Sequence, residues 1–133
     1  MGHFTSWPAL LLDWTDRARA YYNSQPVAPK LMYGPSRSWS ARRAELLLNR
    51  RFARGMLDRL VRDFEIDETP HLQQVFEIGL TLHDSIWSMS IVEHGTITDE
   101  MSREAQRALI AYLRGHLPEH AARRASPEPG VLQ

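Results

Sequence analysis

The stretch between Thr69-Pro70 and His94-Gly95 does most to limit what this chain can fold into. At 100° per residue, Leu72, Val75, Phe76, Gly79, Leu80, His83, Ile86, Trp87 and Ser90 share one arc. Ile78, Leu82 and Met89 add a second apolar edge, so the apolar surface exceeds half the circumference. Only Gln73, Gln74, Glu77, Thr81, Asp84, Ser85 and Ser88 remain as a polar strip. A helix of this kind has to be covered on two sides. Thr69-Pro70 marks its start and Gly95 its end.

Proline and glycine cut the rest into similar pieces. A first helix is predicted from Pro8 to Asn23, with Leu10, Leu11, Trp14, Ala18, Tyr21 and Tyr22 on one face. Ala28 to Tyr33 has room for a short helix before Gly34-Pro35 stops it. A long helix from about Ser40 to Phe64 carries Leu46, Ala53, Met56, Leu57, Leu60 and Phe64 on a narrow arc, with Leu47 and Leu48 outside it. The last runs from Thr98-Asp99 to Leu117, where Pro118 ends it, and its stripe is Met101, Ala105, Ala108, Leu109, Tyr112 and Leu113. No strand alternation, repeat or interdomain linker is present. The chain of 133 residues reads as one all-α domain of about five helices over residues 8–118. Residues 1–7 are expected to be a flexible N-terminus, and 119–133, with Ser126-Pro127-Glu128-Pro129-Gly130, a disordered tail.

Composition removes several function classes. Cysteine is absent, which excludes disulfides and thiolate metal clusters. The longest apolar run, Ala9 to Leu12, is far too short to span a membrane, and no secretory segment follows the start, so a cytoplasmic protein is expected. Met1 to Ser6 fits the myristoylation pattern, but nothing else supports a lipid anchor. Sixteen basic and sixteen acidic side chains cancel. They are segregated nonetheless: the segment Arg37 to Arg62 holds arginines 37, 42, 43, 50, 51, 54, 59 and 62, whereas Asp63 to Glu100 holds nine acidic residues and no Lys or Arg. The arginines lie opposite the apolar arc without interleaved aromatics, as expected for a solvated face meeting a neighbour's acidic strip, not for a nucleic-acid groove.

No metal site is expected: Pro118 breaks the spacing of His116 and His120, and no carboxylate joins them. His71 and His94 sit at helix ends. His83 lies within an apolar arc, as a satisfied core histidine or as a polar handle in a ligand cavity. Nucleophile, phosphate-loop and metalloprotease signatures are missing, and His83 and Asp84 diverge by about 100° on a helix, so an enzyme is not expected. Trp14, Tyr21, Tyr22, Tyr33, Trp39, Phe52, Phe76 and Trp87 must instead converge on one small core, either solid or enclosing an apolar cavity.

One resemblance fits this pattern. Phe76-Glu77-Ile78-Gly79-Leu80-Thr81-Leu82-His83-Asp84-Ser85-Ile86-Trp87, then Glu93-His94-Gly95-Thr96-Ile97-Thr98-Asp99-Glu100, then Glu104 to Arg114, resembles the C-terminal effector-binding and dimerisation domain of tetracycline-repressor (TetR) family regulators. The similarity spans roughly residues 8–118. Family members carry a helix-turn-helix ahead of this domain; none precedes Pro8, so the polypeptide is not expected to bind operator DNA unaided. The resemblance implies a bacterial-type transcriptional repressor whose last two helices form a four-helix-bundle homodimer interface. The residues assigned to that interface are Leu72, Phe76, Gly79, Leu80, Ala105, Ala108, Leu109 and Tyr112. It also implies a cavity for a small apolar or aromatic effector, assigned to Trp14, Tyr21, Met32, Trp39, Leu47, Phe52, His83 and Trp87, with no cofactor. The alternative is a helical homodimeric interaction module without a small-molecule ligand.

Overall fold

The computed structural model describes residues 4–24, 38–118 and 120–125. Among them are four helices and no strand: α1 (Trp7–Ser24), α2 (Trp39–Asp63), α3 (Pro70–His94) and α4 (Asp99–Arg114). The short helix expected at Ala28 to Tyr33 lies outside the described residues, as does Met32.

Local chemistry sets the helix ends. Ser6 Oγ accepts from the Ala9 amide at 3.3 Å, starting α1 one residue before the anticipated proline. Ser38 Oγ accepts from Ala41 N at 3.1 Å, and Thr98 Oγ1 from Met101 N at 3.2 Å, so α2 and α4 begin on side-chain caps. Pro70 occupies the first turn of α3, where its missing N–H is harmless, and Gly95 closes that helix at φ 74°. Helix α4 stops at Arg114, short of the expected Leu117; Leu117 is buried nonetheless by a tight turn that donates its amide to Leu113 O.

Helix α3 is the centre of the molecule, with α4 packed against one flank and α2 against the other, while α1 lies on α4. The main arc of α3 is therefore covered within one chain, whereas its second edge, Ile78, Leu82 and Met89, stays exposed. Leu72, Phe76, Gly79, Leu80, Ala105 and Leu109 are all buried inside this protomer. Burial within one protomer leaves these six residues little surface for a partner subunit: a helical wheel reveals that a face is covered, not which chain covers it. Ala108 and Tyr112 alone of that set keep partial exposure. Helices α3 and α4 pack tightly at Gly79, where an added Cβ would stand 2.9 Å from Leu109 Cδ1.

The apolar interior falls into two clusters. The larger gathers Trp7, Leu10, Leu11, Ala53, Met56, Leu57, Leu60, Phe64, Phe76, Leu109 and Leu113 with their neighbours. The smaller holds Trp87, Ile91, Ile97 and Ala105, with Ala18, Tyr22 and Ile86 against it.

Both ends of the domain differ from expectation. Trp7 is buried and its indole donates to Pro118 O at 2.9 Å, while Phe4 packs on the larger cluster. Residues 120–125, placed in the anticipated disordered tail, return to the end of α2. Glu65 N donates to Ala122 O and Arg124 N to Asp63 O, at 2.7 and 2.8 Å, making an antiparallel bridge between Phe64 and Arg123. Arg123 also donates to Phe4 O at 2.6 Å. Backbone pairing of this kind leaves no trace in side-chain periodicity.

Candidate functional site

A cleft of about 90 Å³ opens where the two clusters meet. Helix α1 contributes Trp14, Thr15, Ala18 and Tyr22; α2 contributes Asn49, Phe52 and Met56; α3 contributes Leu80, His83, Asp84 and Trp87.

Polar clamps hold α1 in place over it. Asn23 and Arg19 donate to Ile97 O in the α3–α4 turn, each at 3.0 Å, and Asn23 Oδ1 accepts from Ile97 N. The Gln106 side-chain amide of α4 donates to Thr15 Oγ1 at 2.9 Å and to Asp16 Oδ1 at 2.8 Å. Thr15 in turn donates to Leu11 O, so its hydroxyl is fully used. With α1 fixed at this level, Tyr22 meets the Trp87 ring edge-on at 5.5 Å between centroids.

The floor contains the most unusual chemistry. His83 and Trp87 are each 2% exposed, and their rings stand 4.5 Å apart one turn from each other on α3. Among the described residues neither His83 Nε2 nor Trp87 Nε1 has a hydrogen-bond partner. Leaving a buried donor or acceptor unpaired costs roughly 1–3 kcal/mol, and most such groups in folded proteins are satisfied. Two on adjacent side chains lining one cleft therefore call for a physical reason. His83 Nδ1 lies 3.6 Å from Asp84 Oδ1, too far for a hydrogen bond but close enough to orient the ring. Asn49 is buried across the cleft on α2.

Four of the expected cavity residues, Trp14, Phe52, His83 and Trp87, meet here. Three do not: Tyr21 is 62% and Trp39 75% exposed, and Leu47 is exposed on α2. They are aromatic or apolar, but each lies at the edge of its helix arc and faces solvent. Sequence reasoning missed Thr15, Ala18, Tyr22, Asn49, Met56, Leu80 and Asp84. Tyr22 was already on the apolar face of α1, one position from the tyrosine chosen. Asp84 was set aside because it diverges from His83, yet a neighbour 100° away still reaches the rim of a broad cleft. Asn49 carried no signal beyond a polar residue at a core position.

The arginine helix is partnered. Arg50 pairs with Glu77 of α3 at 3.1 Å, and Arg54 with Asp58 and with Glu68 beyond the helix end. Arg59 and Arg62 both meet Asp63; burial alone would raise that carboxyl, but these two arginines outweigh it and hold it below its ordinary value. Among the described residues no group of His, Asp and Glu could hold a metal ion, and no helix is long and apolar enough to cross a membrane.

No protein-family model, curated protein or solved structure matches this chain.

Proposed function

We propose that this domain is the ligand-sensing and dimerising part of a transcriptional repressor of the tetracycline-repressor type, and that the cleft is its effector site. The observation that carries the reading is the pair of unpartnered buried nitrogens, His83 Nε2 and Trp87 Nε1, on residues lining an aromatic cleft. Apolar walls with a few convergent polar groups are how small-molecule sites are built. A ligand that pairs with those nitrogens recovers a desolvation cost already incurred in the empty protein, which favours a bound state. DNA contact in this reading is made by a helix-turn-helix outside this domain, and the cytoplasm is its compartment. Effector binding there would alter DNA affinity by linkage between the two sites.

The homodimer belongs on a different face from the one expected. Along the outside of α3, Gln74, Ile78, Leu82, Ser85, Met89 and Val92 recur at helical spacing without one formal charge, and the four apolar members are exposed. Half-buried Tyr112 of α4 lies against α3 at Gly79, and Ala108, one turn before it, is half-buried as well. Solvated helix faces are normally charged, and depletion of charge marks the centre of interfaces.

Thermal denaturation against a panel of apolar and aromatic compounds tests the sensor reading. A true ligand stabilises by about 2.7 kcal/mol at a hundredfold excess over its Kd. A panel without a single shift counts against the cleft as an effector site. The second reading, a homodimeric interaction module with no ligand, is favoured by the small size of the cleft. It keeps the dimer and predicts that the panel stays silent.

A further inference from the structure

Resting on the reading of the cleft as a ligand site, we propose that its ligand is a small organic cation: a tertiary or quaternary ammonium carrying a hydroxyl.

The charge on the walls is one-sided. Among the described residues Asp84 is the one acidic side chain lining the cleft, and no Lys or Arg lines it. Helix α3 carries Glu77, Asp84 and Glu93 with no basic side chain except histidine, and of these Glu77 is paired with Arg50. Arg54 of α2 is taken up by Asp58 and Glu68. An anionic ligand would thus meet a carboxylate and no counter-charge.

The walls are also aromatic in a way that suits a cation. Trp14, Tyr22, Phe52 and Trp87 come from three helices and surround the same space. Ring faces attract ammonium groups electrostatically, and several rings around one space form a cage selective for alkylated ammonium. A carboxylate at the rim completes such a site.

The buried nitrogens specify the rest of the ligand. His83 Nε2 is a ring nitrogen that can accept or donate a hydrogen bond. Trp87 Nε1 is a donor only. A hydroxyl, which donates and accepts at once, can pair with both nitrogens whichever way the His83 ring is protonated; the two ring centroids stand 4.5 Å apart.

Choline and its uncharged carbon isostere, 3,3-dimethylbutan-1-ol, separate these terms, since both present the same hydroxyl and nearly the same shape. Each is titrated into the protein by calorimetry while the indole N–H resonances are followed by NMR. The proposal expects choline to bind at least tenfold tighter than the alcohol and to move the Trp87 indole signal. Asp84→Asn should erase most of that advantage while leaving the alcohol unchanged. Equal binding of the two, or tighter binding of the alcohol, overturns the cation assignment and leaves the cleft as a neutral-ligand site. If neither binds at tens of millimolar, the cation proposal falls; a silent apolar panel as well would remove the effector reading. The wild-type pair of titrations decides the charge question even if the Asp84 variant fails to fold.

Discussion

The two flanks of α3 were built to different standards. Toward α4 it presents Gly79 to Leu109 at a separation where an added methyl group would push the leucine aside, and Leu109 and Leu113 there are fully buried. Toward α1 and α2 it presents His83, Asp84 and Trp87 to an unfilled cleft, with two buried nitrogens unpaired. The first arrangement maximises stability. The second forgoes some of it, and local departures from good packing concentrate where a protein binds something. The same helix therefore acts as a keel on one side and as a receptor wall on the other.

Substitutions can break this contrast, and the largest effect belongs to the packed flank. Leu109→Ala should cost about 2–5 kcal/mol, the range for emptying a fully enclosed leucine site, measured by urea unfolding. Leu109→Arg should abolish the cooperative transition altogether, because Leu109 has no solvent-facing route for a charge. A matching loss from Phe52→Ala, on the half-open flank, would show that the two sides do not differ.

Next in size is the surface that neither flank uses. The double variant Leu82→Glu, Met89→Glu should leave the circular dichroism spectrum and melting behaviour of the protomer intact while halving the mass seen by sedimentation. A dimer that survives both charges would remove α3's outer face from the interface.

A smaller effect of opposite sign is expected in the cleft. His83→Phe removes an unpaired nitrogen while keeping a ring, so the variant should match or exceed the wild type, by up to about 1–3 kcal/mol. A clear destabilisation would mean that His83 is satisfied in solution and that the contrast between flanks is weaker than drawn.

The smallest effect is the acid limb. Asp63 is held below its ordinary carboxyl value despite burial, by Arg59 and Arg62, and Asp99 is lowered by its hydrogen bond and charge pairing with Arg19. A depressed folded value means stabilisation that is complete above the ordinary carboxylate range and lost as pH falls through the folded value. Stability should therefore decline below about pH 4, and Asp63→Asn should flatten that decline. An unchanged acid limb would assign the loss to other carboxylates.

How far the sequence reached follows the same division. Helix positions were legible to within a few residues because Ser38, Thr98, Pro70 and Gly95 act through local geometry that a one-dimensional pattern records. The buried arcs of α3 and α4 were legible for the same reason. Their partners were not, since intrachain and interchain burial demand identical periodicity. Within the cleft, Trp14, His83 and Trp87 were found because they lie on strong arcs. Tyr21 and Trp39 were misplaced because residue type was allowed to stand for direction. Asn49 and Glu45 occupy buried positions on α2 where only the three-dimensional neighbour explains a polar side chain; Glu45 is met by Arg42 at 3.2 Å.

The fastening of α1 has a mechanical consequence. One end is held through the Trp7 indole on Pro118, the other through Asn23 and Arg19 on Ile97, and the cleft residues Trp14, Ala18 and Tyr22 lie between them. A rod pinned at both ends cannot slide along its axis, but it can roll. A body wedged under its mid-span applies torque, and the torque appears at the fastenings: at the α3–α4 turn on one side, at Pro118 on the other and at Gln106 of α4 between them.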